Sequence, residues 1–203
     1  MLAEENVATL GAAHRDHGIK TVVASCPHCF NTIRNEYPQF GLTGIEVIHH
    51  TQLLETLIAE GRLKPRFGVA HKAIAYHDAC YLGRYNEVYD EGRRVVESVP
   101  GQSVVEMDLH HRKGMCCGAG GARMWMEERE GTRINHKRVS QALEKSPDAI
   151  ATACPFCLIM LRDGTTDLER TDVAVRDVAE LLADATGAWS RDVGTAETAD
   201  PAR

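Results

Sequence analysis

One stretch of this chain occurs twice, and that repeat limits its possible folds more than any bulk property does. "VVASCPHCFNTIR" (22–34) lines up with "IATACPFCLIMLR" (150–162), 128 residues later. Cys26, Pro27 and Cys29 fall on Cys154, Pro155 and Cys157, and Ile33 and Arg34 fall on Leu161 and Arg162. The match continues through Ile45 and Val47 onto Val173 and Val175, and through Leu53 and Leu54 onto Leu181 and Leu182. Two copies of one supersecondary unit are the economical reading. Only the second copy is complete, because nothing before Cys26 matches the segment from Cys80 to Cys117. The chain therefore reads as starting in the middle of its first repeat, as a piece of a longer protein would.

Apolar periodicity predicts what the repeated unit is. A helix is expected over 2–17, closed by Gly18. Strands are expected at 20–25, 45–50, 72–78, 103–107, 148–153 and 171–177. Helices are expected at 51–60, 87–98, from the loop 110–125 to about Lys145, and at 178–185. Strands alternating with helices make βαβ units and parallel sheets. The expected fold is α/β, with two related βαβ units, the first truncated at its N-terminal side. "KPRFG" (64–68) is the turn-rich joint between them. It divides the chain into 1–66, 67–186 and a small, polar tail at 187–203 expected to be disordered. Cys26, Cys80 and Cys154 each fall just past a strand end, where α/β sheets hold their ligands.

The seven cysteines, 26, 29, 80, 116, 117, 154 and 157, are an odd count without an export signal, which argues against a disulfide framework. Clustered thiols in a reducing compartment bind metal or do redox work. Cys26-Pro-His-Cys29 at a strand end entering a helix also fits a thiol-disulfide pair, since a helix N-terminus and a nearby His favour the thiolate. Its counterpart replaces His28 by Phe156, so the two copies share only the sulfurs and a proline. Two Cys-x-x-Cys pairs can make a four-sulfur zinc site, but equivalent positions in tandem units suggest two separate sites. "GMCCGAGG" (114–121) adds adjacent sulfurs that can reach different metal atoms of a cluster. Glycines 118, 120 and 121 let the backbone approach a bulky core, and their N–H groups can stabilise anionic sulfur. A flexible glycine loop holding two buried cysteines is the plainer alternative.

The spacing is Cys80, 35 residues, Cys116-Cys117, 36 residues, Cys154-x-x-Cys157. With "YHDACYLGRYNEVYDEGRRVV" (76–96) and "CCGAGGARMWMEE" (116–128), this resembles the cysteine-rich CCG domain of the heterodisulfide reductase B-subunit-like iron–sulfur oxidoreductases. It is most similar to the C-terminal part of the large actinobacterial-type iron–sulfur-binding reductases, over residues 1 to about 186. The resemblance implies that Cys80, Cys116, Cys117, Cys154 and Cys157 ligate a [4Fe-4S] cluster, cubane or noncubane, with Gly118 and His77 beside it. Cys26 and Cys29 are ligands only if another segment completes their site. It implies an oxidoreductase module without turnover of its own. Electrons would pass between a dehydrogenase or electron-transfer flavoprotein and a quinone or disulfide acceptor, through other iron–sulfur or flavoprotein modules. A zinc-stabilised interaction module and a thiol-disulfide oxidoreductase are the alternatives.

Lesser features are weighed against ordinary structural roles. His77 can bond a cluster sulfur or merely cap a strand end. His49-His50 and His110-His111, if on strands, point to opposite faces and are expected to be structural or solvent-facing. Arg84 and Arg123 can balance cluster charge or sit at the surface. Met124, Trp125 and Met126 are expected to pack along a helix. A formal charge of −6 without a dense basic patch argues against nucleic acid as a partner. No apolar run approaches the roughly 20 residues that span a bilayer. The expectation is a cytoplasmic protein that reaches the membrane face only through partners or further domains.

Overall fold

The central strands explain the architecture. Ala73–His77 (β3) and Ala149–Thr152 (β5) are buried along almost their whole length, as a parallel sheet covered on both faces requires. The computed structural model describes residues 1–68, 71–126 and 130–187. β3 and β5 form the middle of a four-stranded parallel sheet with Ser103–Val105 (β4) and Ala174–Asp177 (β6), in the order β4-β3-β5-β6. Alternate side chains feed two cores. Ile74, Tyr76, Ala149 and Ala151 face a cluster completed by Val95, Val96, Leu181 and Leu182. Ala75, Ile150 and Val175 face Val139, Ala142 and Leu161. Helices Glu91–Glu97 (α5) and Val178–Thr186 (α8) therefore cover one face, and Ile134–Leu143 (α6) and Pro155–Asp167 (α7) the other.

The first unit consists of Leu2–His17 (α1), Thr21–Ala24 (β1), Pro27–Asn31 (α2), Glu46–His49 (β2) and His50–Ala59 (α3). Gly18 ends α1 at φ 66, a left-handed conformation open to glycine. β1 and β2 pair in parallel. The repeat holds at the level of register: Thr21↔Glu46 and Ala24↔His49 recur 128 residues later as Ala149↔Ala174 and Thr152↔Asp177. It fails in the helix after the cysteines. α7 runs for 13 residues, whereas α2 gives way to a π turn at Thr32–Glu36 and a 3-10 turn at Tyr37–Phe40. Pro38, which lacks an N–H, stands where the second copy has Thr166. Ala24, Phe30 and Val47 belong to the same apolar cluster as Ile74 and Leu181.

Three expectations need correction. The helix expected at 87–98 is shorter, Glu91–Glu97 (α5), and an unexpected helix, Cys80–Asn86 (α4), precedes it and ends at Glu87, whose φ is 59. The long helix expected from the 110–125 loop to about Lys145 is found only in its C-terminal part among the described residues. Residues 123–125 make one 3-10 turn, entered through Ala122 at φ 61, and α6 begins only at Ile134; residues 127–129 lie outside the described part. With no helix there, Trp125 and Met126 have no face to pack on and are exposed, while Met124 still touches the core. Of the tail expected to be disordered, 187–203, all but Gly187 lies outside the described residues.

Candidate metal centre

Five cysteines converge at the carboxyl ends of β3 and β5. Each is delivered by a different local device. β3 ends at His77, and after Asp78 and Ala79 the chain turns into α4 at Cys80. β5 ends at Thr152, and Cys154 is the N-cap of α7, with Pro155 at its first position and Cys157 one turn in. Cys116 and Cys117 arrive on the loop between β4 and α6. Gly118 has φ 96, and a Cβ there would lie 3.2 Å from Ile134 Cβ and 3.3 Å from Met160 Cε. Only glycine lets the loop pass so close to α6 and α7.

That loop is anchored from below by a buried charge network. Arg93 on α5 donates to both oxygens of Asp78, at 2.7 and 3.0 Å, and reaches Glu106. Its guanidinium lies over the Tyr76 ring, 4.5 Å from the centroid. Asp78 also accepts the backbone N–H of His111 at 2.7 Å. Burial would lift the Asp78 carboxyl, but the Arg93 bonds and the His111 N–H hold it below its ordinary value. Arg84 donates to the carbonyl of Gly114, so its guanidinium holds the loop.

The sulfurs form one continuous series. Cys116 interacts with Cys80 and Cys117, Cys117 with Cys157, and Cys157 with Cys154. Backbone N–H groups aim at them from three elements. Gly118 and Gly120 serve Cys116, the former at 3.3 Å; Ala119 serves Cys117, Tyr81 serves Cys80, and Phe156 and Cys157 serve Cys154. Donation from Cys117 and Cys80, with those N–H groups, holds the Cys116 thiol far below its usual range. The protons are displaced onto its neighbours: the bond to Cys116 pushes Cys117 up to about 12 and raises Cys80 further. At the other end, the bond from Cys157 lowers Cys154, and its bonds to Cys117 and Cys154 raise Cys157. The site thus favours thiolates at Cys116 and Cys154, the form that binds metal.

The walls are mostly apolar. Ala79, Ala119, Tyr81 and Phe156 line the cavity with the five cysteines, and Pro27 and His28 from the first unit close it. The His28 ring lies 4.2 Å from that of Tyr81 and 5.2 Å from that of Phe156. Cys26 is near enough to feel the charge of Cys154, yet neither it nor the exposed Cys29 lines the cavity. Burial pushes the Cys26 thiol up, the opposite of what an activated redox thiol needs. His77 lies beneath the sulfurs, 1% exposed, and one of its ring nitrogens is within 4.8 Å of the sulfurs of Cys117 and Cys157.

The sequence reading named every cysteine here but missed Arg138, whose Nε donates to His77 Nδ1 at 3.0 Å. The signal was present: Arg138 interrupts an i, i+4 stripe between Ile134 and Ala142. Neither histidine pair lies within one strand, so the opposite-face argument does not apply to them. His49 ends a strand and His50 starts a helix, so their rings lie 4.3 Å apart instead of on opposite faces. His111 has φ 52, and its Nδ1 lies 2.6 Å from that of His110. Arg123 is exposed, in the turn before α6. No helix of the described residues is long and apolar enough to cross a membrane.

Comparison with known proteins agrees with this geometry. The family model for the cysteine-rich CCG domain matches residues 74–162. "Probable iron-sulfur-binding oxidoreductase FadF" of Bacillus subtilis is 48% identical over 183 residues, covering 90% of this chain and 25% of that protein. EtfAB:quinone oxidoreductase of Syntrophomonas wolfei is 45% identical over 175 residues, 82% of this chain and 24% of that protein. One polypeptide of the dihydromethanophenazine:CoB–CoM heterodisulfide reductase of Methanosarcina barkeri is 37% identical over 190 residues, 92% of this chain and 44% of that polypeptide. The chain thus spans between a quarter and less than half of these relatives. Residues 74–162 belong to the cysteine-rich CCG domain family, within a chain related to the iron–sulfur and heterodisulfide oxidoreductases.

Proposed function

We propose that Cys80, Cys116, Cys117, Cys154 and Cys157 hold a [4Fe-4S] cluster, and that the chain is an electron-transfer module of a larger oxidoreductase. The observation that carries this reading is the unbroken series of five interacting sulfurs, fed by backbone N–H groups from three elements. The donor set fits the group. Five thiols exceed the four of a tetrahedral zinc site and suit a multi-iron core. The cluster supplies one-electron transfer when bound. The protein's own residues do the rest. Gly118, Gly120, Ala119 and Tyr81 offer N–H groups that stabilise sulfur charge and so ease reduction. Pro27, Phe156 and Tyr81 keep water away, which disfavours added charge and works in the opposite direction.

By likeness to EtfAB:quinone oxidoreductase, the donor is an electron-transfer flavoprotein and the acceptor a quinone; a dehydrogenase donor rests on the family resemblance alone. A disulfide is the acceptor suggested by heterodisulfide reductase. The division into units 1–66 and 67–186 belongs to this reading, with the first unit covering the cluster of the second. So does a cytoplasmic setting with other iron–sulfur or flavoprotein modules as neighbours. Cys26 and Cys29 are left out of this ligand set, because neither lines the cavity.

The test is anaerobic reconstitution of the full chain, with iron and sulfide analysis and EPR. Roughly four irons and matching sulfide per chain are expected. They should be lost in Cys116→Ser and Cys157→Ser and retained in Cys26→Ser. One zinc without sulfide in the wild-type chain would overturn the proposal.

A further inference from the structure

Arg138 is 0% exposed, yet among the described residues no carboxylate pairs with it. Its Nη1 donates to the carbonyl of Leu109 at 2.9 Å and to Gln141 Oε1 at 3.0 Å; both acceptors are neutral. The groups placed to offer it negative charge are Asp78 and, once metal displaces their protons, the thiols of Cys157 and Cys117. Asp78 is already held by both Nη atoms of Arg93. A buried cation without a counter-anion is strongly disfavoured. The sulfurs are what is left to balance it.

The remaining contact of Arg138 sets its role. Its Nε donates to His77 Nδ1 at 3.0 Å. A guanidinium has donors only, so Nδ1 must be the bare, accepting nitrogen. The imidazole hydrogen then sits on Nε2. That atom is buried and has no hydrogen-bond partner among the described residues. Since Nδ1 is taken, Nε2 is the nitrogen free to serve Cys117 and Cys157, whose sulfurs lie within 4.8 Å of the ring.

We propose that Arg138 and His77 act as a positioning pair. Arg138 fixes the His77 tautomer so that an Nε2–H donor and a buried positive charge stand behind the sulfurs of Cys117 and Cys157, raising the cluster's reduction potential. The inference rests on the iron–sulfur reading above. Neither residue is a ligand. Both act through the sulfurs, as donors around metal-binding groups do.

Two measurements on the full chain test it. In the metal-free protein, long-range 15N–1H spectra of His77 should show the Nε2–H tautomer. An Nδ1–H tautomer would overturn the proposal. In reconstituted protein, EPR-monitored titration should give a lower potential for Arg138→Met at unchanged iron content, with recovery toward wild type in Arg138→Lys. If Arg138→Met does not fold, His77→Phe supplies the same readout and should also lower the potential. Wild-type potentials in these variants at full iron content would overturn this inference alone. A wild-type chain that takes up no iron would overturn the proposed function and this inference with it.

Discussion

His50 Nε2 lies 3.3 Å from Asp177 Oδ1, joining the two repeats at equivalent helix starts. Asp177 is the N-cap of α8 and accepts the N–H of Ala179 at 2.8 Å, while Glu180 returns to the Asp177 N–H. His49 plays the same part for α3, with Gln52 returning to it. The repeat has kept the capping box and changed the capping residue. Asp177→Ala is therefore expected to cost about 1 kcal/mol through the lost cap, and Asp177→Ser to recover most of it. Urea unfolding of the three proteins decides. Equal loss in both variants would mean that the His50 contact matters more than the cap.

His49 makes folding sensitive to acid. Burial, then the neighbouring His50, lowers its imidazole to about 3, so it stays neutral in the folded chain. In the unfolded chain it titrates near ~6.5. As pH falls below that value the unfolded state gains a proton that the folded state refuses. Stability is thus complete above about 6.5 and falls by up to about 1.4 kcal/mol per pH unit until about pH 3. His49→Asn keeps a cap acceptor and removes this titration. Denaturant midpoints at about pH 7 and about pH 5, on either side of the free imidazole's range, should converge more closely in the variant than in the wild type. Equal slopes would assign the acid sensitivity to other groups.

Much of this architecture is legible in the sequence. The strands were legible because β3 and β5 are continuous apolar runs, and because the repeat carries its register with it. The cysteine set was legible through its spacing. What escaped was set by tertiary contact. Nothing local marks Glu87 or Ala122 as left-handed, so the short helix α4 that ends at Glu87 and the late start of α6 were both missed. Arg138 stands on the apolar stripe of α6, but its pairing with His77 becomes visible only when α6 is laid on the sheet. The closing of the cavity by Pro27 and His28 depends on how the first unit packs on the second, which no periodicity encodes.

Arg93 should be the most costly polar residue to remove from the scaffold. Its side chain is 8% exposed, and that of Asp78 is 5% exposed. Arg93→Met would leave the Asp78 carboxylate buried and unpaired, at a cost of about 3–5 kcal/mol. Asp78→Asn combined with Arg93→Met should cost less than the single change, because no uncompensated charge remains. Thermal unfolding of the single and double variants gives the comparison. A double variant that is worse than Arg93→Met would show that the polar contacts to His111 and Glu106, not the charge balance, sustain the loop.

Gly118 separates folding from cluster loading. Its φ of 96 is unfavourable for any side chain, and an added Cβ would press on Ile134, Asn135 and Met160 at 3.2–3.3 Å. Gly118→Ala is expected to destabilise the chain by about 1–3 kcal/mol. The strain falls on the loop that presents Cys116 and Cys117, not on the sheet. Circular dichroism should therefore keep the native helix and strand signal at room temperature, while iron uptake drops several-fold. Asn is the side chain that best tolerates positive φ, but its added Cβ meets the same atoms, so Gly118→Asn should rescue little. Full iron loading in Gly118→Ala would show that the loop can shift by a few tenths of an ångström without moving the sulfurs, and that glycine is needed there for backbone conformation alone.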